Sequence, residues 1–126
     1  MTQRRNISSG SKWEPLLGYS RAVVAGNTVY VSGTVGAAAD GSVPEGAYAQ
    51  SKRALEIIRD ALAQAGADLT HVVRTRLFLT DMADFDAVAK AHGEAFGEIR
   101  PATTIVKVAG LVDAAFVVEI EAVAAI

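Results

Sequence analysis

Glu119 and Glu121 are the residues of this chain best placed to do chemistry. They stand two apart in the apolar run VVEIEAVAAI, where side chains alternate with period two, so both carboxylates share one face of a strand. A carboxylate in a partly dry cleft has a raised pKa and can orient or activate water. The competing reading is an ion pair: a hairpin closed around Asp113 would set Lys107 near Glu119 on the neighbouring strand. Arg74 and Arg76 likewise share a face with Phe78 and Thr80. Each is either a solvated or subunit-pairing arginine or an anion anchor, because a guanidinium offers a fixed fork matched to carboxylate. Arg100, ahead of Pro101, carries the same two readings.

Other chemistries find little support. Neither GxGxxG nor GxxxxGK[ST] occurs, so nucleotide binding by those glycine-rich loops is excluded. Ser8, Ser9, Ser11 and Ser32 lack a nucleophile-elbow context. The absence of cysteine rules out disulfides, thiol nucleophiles and Cys-ligated zinc. With only His71 and His92, no metal site is expected. His92 falls on an apolar helical stripe, where a hydrogen-bonded, partly buried role is the ordinary one.

These residues need elements to hold them. Residues 21–26 and 28–33 are β-rich runs parted by Gly26-Asn27 and read as adjacent antiparallel strands. After a loop containing Asp40-Gly41 and Pro44, a helix is expected over roughly 47–65, with Leu55, Ile58, Leu62 and Ala65 on its inner stripe and Gly66 ending it. Residues 72–80 read as a strand, and Asp81 or Asp84 caps a second helix whose stripe is Phe85, Val88, His92 and Phe96, stopping at Gly97. Residues 103–108 and 116–123 supply the last strands. The order β-β-α-β-α-β-β predicts an α+β fold with two helices on one face of a mixed sheet, as a single domain over 1–126. Two helices cover one sheet face only; the other, expected to be apolar, predicts oligomerisation.

The composition agrees. Hydrophobic residues make up 51% of the 126 and charged residues 21%, and the mean hydropathy of +0.27 is high for a lone soluble domain. A net charge of −2 with 6% aromatic residues offers no field for nucleic acid. No apolar run is long enough to span a membrane and residues 1–13 contain no apolar signal core, so a cytoplasmic protein is expected.

Four stretches in register, GYSRAV (18–23), VYVSG (29–33), AYAQSKRALEIIRDALAQAGADLTHVVRTRLFLTDMADF (47–85) and RPATTIVKVAGLVDAAFVVEIEAVA (100–124), resemble the RidA/YjgF family, also called the L-PSP endoribonuclease family. The resemblance implies a chorismate-mutase-like subunit of a homotrimer, with clefts for a small metabolite between neighbouring copies. It also implies cofactor-free hydrolysis of imines and enamines to ammonia and a 2-oxo acid. Carried over by position, Tyr19 walls the cleft, Ser32 and Gly33 contact the ligand, and Glu119 positions water. The family's PARSCV reads PATTIV here, which puts Thr103 where the carboxylate-anchoring arginine belongs, Ile105 in place of a cysteine, and Ala89 where some members carry asparagine. Losing such a charge-assisted bond costs about 1.5–3 kcal/mol, so a standard 2-imino acid deaminase is not expected. Either Arg76, Arg100 or, third, Arg21 replaces the anchor, or the cleft has become more neutral, with the Thr103 and Thr104 hydroxyls and backbone N–H groups binding an uncharged or differently charged ligand. A non-catalytic binding or chaperone-like trimer is the alternative function; chorismate mutase would need cationic groups for a dicarboxylate.

Overall fold

The computed structural model describes residues 3–126. Its strands are β1 (Arg4–Ile7), β2 (Ala22–Ala25), β3 (Thr28–Val35), β4 (Val72–Leu79), β5 (Ala102–Lys107) and β6 (Val118–Ala125). The helices are α1 (Trp13–Leu17), α2 (Ala47–Gln64) and α3 (Phe85–Phe96). The strands form one sheet in the order β1-β2-β3-β6-β4-β5. β4 and β5 run parallel, and every other neighbouring pair is antiparallel. The expected α+β architecture is therefore present, with β1 and the short α1 added ahead of the first expected strand.

Alternation in β6 explains where the core lies. Val118, Ile120, Ala122 and Ala124 are buried, while Glu119, Glu121 and Val123 between them are only partly covered. The buried set faces α2, whose Leu55, Ile58 and Leu62, with Ala65 just past its end, are all nearly inaccessible, as their spacing predicts. α2 ends in a Schellman arrangement: Gly66 takes φ 80°, Ala67 N–H donates to Leu62 O (2.8 Å) and Gly66 N–H to Ala63 O (3.0 Å). Asp81 rather than Asp84 caps the entry to α3, accepting from Ala83 N at 2.9 Å through a short 3₁₀ turn. At the other end the chain does not reverse at Gly97, which stays helical at φ −56°. Arg100 makes the reversal instead, at φ 58°. Its N–H bonds Phe96 O at 2.8 Å.

Two expectations fail. The last strands do not form a hairpin: β4 lies between β5 and β6, so Lys107 sits beside Leu79 and Glu119 beside Phe78 and Val35. Lys107 cannot pair with Glu119, because its register partner Leu79 faces the helices whereas Glu119 faces away. The uncovered sheet face is also not simply apolar. It mixes Tyr30, Phe78, Val106 and Val123 with Arg74, Arg76, Glu119 and Glu121.

Candidate functional site

The residues singled out by sequence fall into two clusters on opposite faces of the sheet. The first is built around an irregularity in β3. Val31 pairs with Ala122 and Thr34 with Ile120, so three steps along β3 match two along β6 and a bulge falls at Ser32-Gly33. The bulge turns Ser32 toward the start of β2, where its hydroxyl donates to Ser20 O at 2.7 Å and its N–H to Arg21 O at 3.0 Å. Gly33 then lies directly under Glu119. A Cβ built on Gly33 would stand 2.9 Å from both Cδ and Oε2 of that carboxyl.

Arg21 locks this cluster together. It is 8% exposed, and its Nη1 and Nη2 donate to Thr34 Oγ1 (3.1 Å) and Gly33 O (3.2 Å). Its guanidinium also lies 5.5 Å from the centre of the Tyr19 ring. Among the described residues the Glu119 carboxyl makes no hydrogen bond to another protein group. Burial pushes its carboxyl above the usual range; the charge of Arg21 opposes that rise and Glu121 adds to it. Tyr19, Ser32, Gly33 and Glu119 thus lie in one region of the sheet, with Arg21 between them. Arg21, ranked last among the arginines, is the one that joins them.

The second cluster lies in a groove of about 180 Å³ between α3 and the edge strand β5, lined by Leu77, Phe85, Val88, Ala89, His92, Gly93, Thr103 and Ile105. Phe85 lines this groove at 41% exposure instead of entering the core with Val88 and Phe96. Thr103 shares a face with its parallel partner Thr75, and their hydroxyls are 2.7 Å apart. Thr75 Oγ1 is also 2.9 Å from Nε2 of His92, while Thr103 donates to Pro101 O at 3.1 Å. Burial holds the His92 imidazole below its ordinary pKa. Thr75 was not singled out by sequence; its signal is a hydroxyl at a strand position otherwise occupied by Leu77 and Leu79.

The remaining arginines stand apart from both clusters. Arg76 spans the uncovered face to Glu121, 2.8 Å away. Arg74 donates to Thr104 at 2.9 Å on that same face. Arg100 is exposed beyond the end of α3. A further recess of about 220 Å³ beside α2 is lined by Ser9, Arg21, Arg53, Ile57, Asp60, Ala61 and Gln64. No group of three or more His, Cys, Asp or Glu side chains that could hold a metal occurs among the described residues. No helix of the structure is long and apolar enough to cross a membrane.

Comparison with known proteins places this geometry. The family model described as Endoribonuclease L-PSP matches residues 10–126. A Streptomyces coelicolor protein is 41% identical over 93% of this chain and 88% of its own length. The goat 2-iminobutanoate/2-iminopropanoate deaminase is 38% identical over 95% of this chain and 89% of its own. Among solved structures, a Mycobacterium tuberculosis member of the YjgF/YER057c/UK114 family superposes with a TM-score of 0.92 at 44% identity, covering 98% of this chain and all of that one. RidA from a Psychrobacter species gives 0.83 at 34% identity, over 96% and 94% of the two chains. The chain thus belongs to the endoribonuclease L-PSP family, the RidA/YjgF/UK114 group.

Proposed function

We propose that this protein is a cofactor-free hydrolase of the Rid type, acting on an imine, enamine or related small metabolite other than the standard 2-imino acids. It works in clefts between neighbouring copies of a cytoplasmic homotrimer. The observation that carries this reading is the Glu119 carboxyl: half-buried, raised in pKa, lying over Gly33 and free of protein hydrogen bonds among the described residues. Such a group can take a proton from water as the water oxygen adds to the C=N carbon. Returning that proton to nitrogen completes a carbinolamine; moving its hydroxyl proton to nitrogen, again through the carboxyl, then breaks the C–N bond and releases ammonia and a carbonyl compound.

The division of the candidates between two sheet faces supports intersubunit clefts. Within one copy Glu119 and Thr103 occupy opposite faces of the sheet, and only a second copy can bring a Glu119 face against a Thr103 groove. α1 supports association, because Trp13, Leu16 and Leu17 are 41%, 76% and 78% exposed beside Tyr19. The hydrolytic chemistry is supported by relatives that bear the name 2-iminobutanoate/2-iminopropanoate deaminase. The departure from their substrates is supported by Thr103, which puts a hydroxyl where the family pattern has a guanidinium.

Semicarbazide trapping tests the reading. An amine oxidase supplies imines without a carboxylate, and an amino-acid oxidase supplies 2-imino acids. The protein is expected to depress semicarbazone formation with the first and far less with the second, and Glu119→Ala to abolish the effect. No change with either set removes the hydrolase reading. The exposed apolar residues of α1 favour the alternative, a non-catalytic binding or chaperone-like trimer, in which Glu119→Ala changes little.

A further inference from the structure

We propose that the groove between α3 and β5 selects an uncharged molecule of about benzene size bearing an N–H or O–H donor, and that Nδ1 of His92 accepts that hydrogen. The inference rests on the reading that this groove is a ligand site, and it narrows the ligand.

The protons decide the tautomer. Three hydrogen bonds run in a line: Thr103 to Pro101 O, Thr75 to Thr103, and His92 to Thr75. The Thr103 proton goes to the Pro101 carbonyl, which can only accept. Thr103 must then accept from Thr75, whose single proton is thereby used. Thr75 can join His92 only by accepting, so Nε2 of the imidazole carries the hydrogen and Nδ1 keeps its lone pair. Reversing the line forfeits the bond to Pro101. Among the described residues Nδ1 has no protein partner, and it is not among the enclosed atoms that lack one. The ring is steadied further by Phe96, whose centroid lies 4.7 Å away. Burial disfavours the imidazolium, which keeps the acceptor bare at neutral pH.

The walls set charge and size. Apart from the neutral imidazole, one copy lines the groove with apolar side chains, Gly93 and Thr103, and the neighbouring copy of the proposed cleft adds the Glu119 carboxyl. A carboxylate entering it would meet no cation among these side chains, and an acceptor-only ligand would leave the imidazole lone pair unpaired. One copy's share of the groove, about 180 Å³ and open on one side, leaves room for a molecule of about benzene size, which an enclosed cavity of roughly 150 Å³ can hold. An uncharged imine, enamine or amide with a small branched alkyl group meets all three conditions.

Isobutyramide, isobutyrate and 3-methyl-2-butanone have the same shape and differ only in donor and charge. Each is titrated into the intact protein and into His92→Phe, with binding and the His92 ring nitrogens followed by nitrogen-15 NMR. The wild type is expected to favour the amide over both others by roughly tenfold, the value of one well-made hydrogen bond. Nε2 should be protonated and Nδ1 should shift on binding. In His92→Phe the preference should collapse to within about twofold. The proposal is overturned by isobutyrate binding as tightly as the amide, by an Nδ1–H tautomer, by a preference that survives His92→Phe, or by none of the three binding at millimolar concentration. Should His92→Phe fail to fold, the wild-type affinity order and tautomer decide alone. Semicarbazide trapping reports separately on hydrolysis: lost turnover leaves the binding order standing, and a wrong binding order leaves turnover standing.

Discussion

Replacing Gly33 by alanine should separate catalysis from stability. The new Cβ would stand 2.9 Å from Cδ and Oε2 of Glu119, where ordinary contact begins at 3.4 Å, so the carboxyl must retreat by about 0.5 Å or swing to another rotamer. The backbone itself tolerates alanine, because Gly33 does not lie at positive φ. Alanine in place of a strand glycine contributes about 0.5–1 kcal/mol through the unfolded chain. Displacing the Glu119 side chain costs about 0.5–1.5 kcal/mol, which leaves a net change within about 1 kcal/mol. The effect on turnover is of another order, since misplacing a reacting group by about 1 Å can cost on the order of a hundredfold. Gly36→Ala is the control. There a Cβ would fall 2.2 Å from the Gln50 carbonyl oxygen, which belongs to the backbone of α2 and cannot swing aside. That variant should lose about 3 kcal/mol or more. Urea unfolding of both variants, beside hydrolysis of a carboxylate-free imine, decides the matter. If Gly33→Ala turns over at the wild-type rate, or unfolds as readily as Gly36→Ala, the placement of Glu119 over Gly33 is not what the chemistry depends on.

Three further outcomes are expected. Thr75→Val keeps the shape of a fully buried residue but removes the hydroxyl joining His92 to Thr103; it should cost about 2–3 kcal/mol in chemical denaturation, and a loss under about 0.5 kcal/mol would reject the line of bonds. Arg100→Gly relieves a side-chain-bearing residue at φ 58°; it should stabilise by about 0.5–1 kcal/mol and leave imine hydrolysis unchanged, whereas lost turnover would make Arg100 the missing anion anchor. Hydrolysis should rise with pH through a midpoint above the ordinary glutamate value of 4.5, because burial raises the pKa of the Glu119 base. A raised folded pKa favours folding below the unfolded value and loses that contribution as pH rises through the folded one. Glu119→Gln should therefore gain stability relative to wild type across that window, and parallel unfolding curves from pH 4 to pH 8 would contradict it.

Periodicity made most of the fold legible. The inner stripe of α2 and the alternation of β6 lie where the spacing of Leu55, Ile58 and Leu62 and of Val118, Ile120 and Ala122 puts them. What periodicity does not carry is which strands are neighbours. The last two strands invite a hairpin, yet the connection over residues 108–117 is longer than hairpins use. β4-α3-β5 is instead a parallel unit that inserts β4 between them. That length was the available signal. β1 escaped notice because RRNI lacks alternation, its only buried residue being Ile7, and five-residue α1 is too short for a helical stripe. The Ser32-Gly33 bulge is a register effect, visible only once β3 is laid against β6.

The same limit governs Thr103, which the resemblance sets at the position of the family arginine. Read along the sequence, Thr103 is a lost charge. In the sheet it is one member of a set contributed by three elements: Thr103 from β5, Thr75 from β4 and His92 from α3, each within 3 Å of the next. A guanidinium returned to position 103 by Thr103→Arg would remove the hydroxyl that fixes Thr75, and with it the bond that fixes the His92 tautomer. It would also put a cation into a groove whose other walls are apolar. The substitution alone should therefore not restore a carboxylate site of full strength. The groove is built around the hydroxyl line, and reversing its preference for uncharged ligands requires Thr75 and His92 to change along with Thr103.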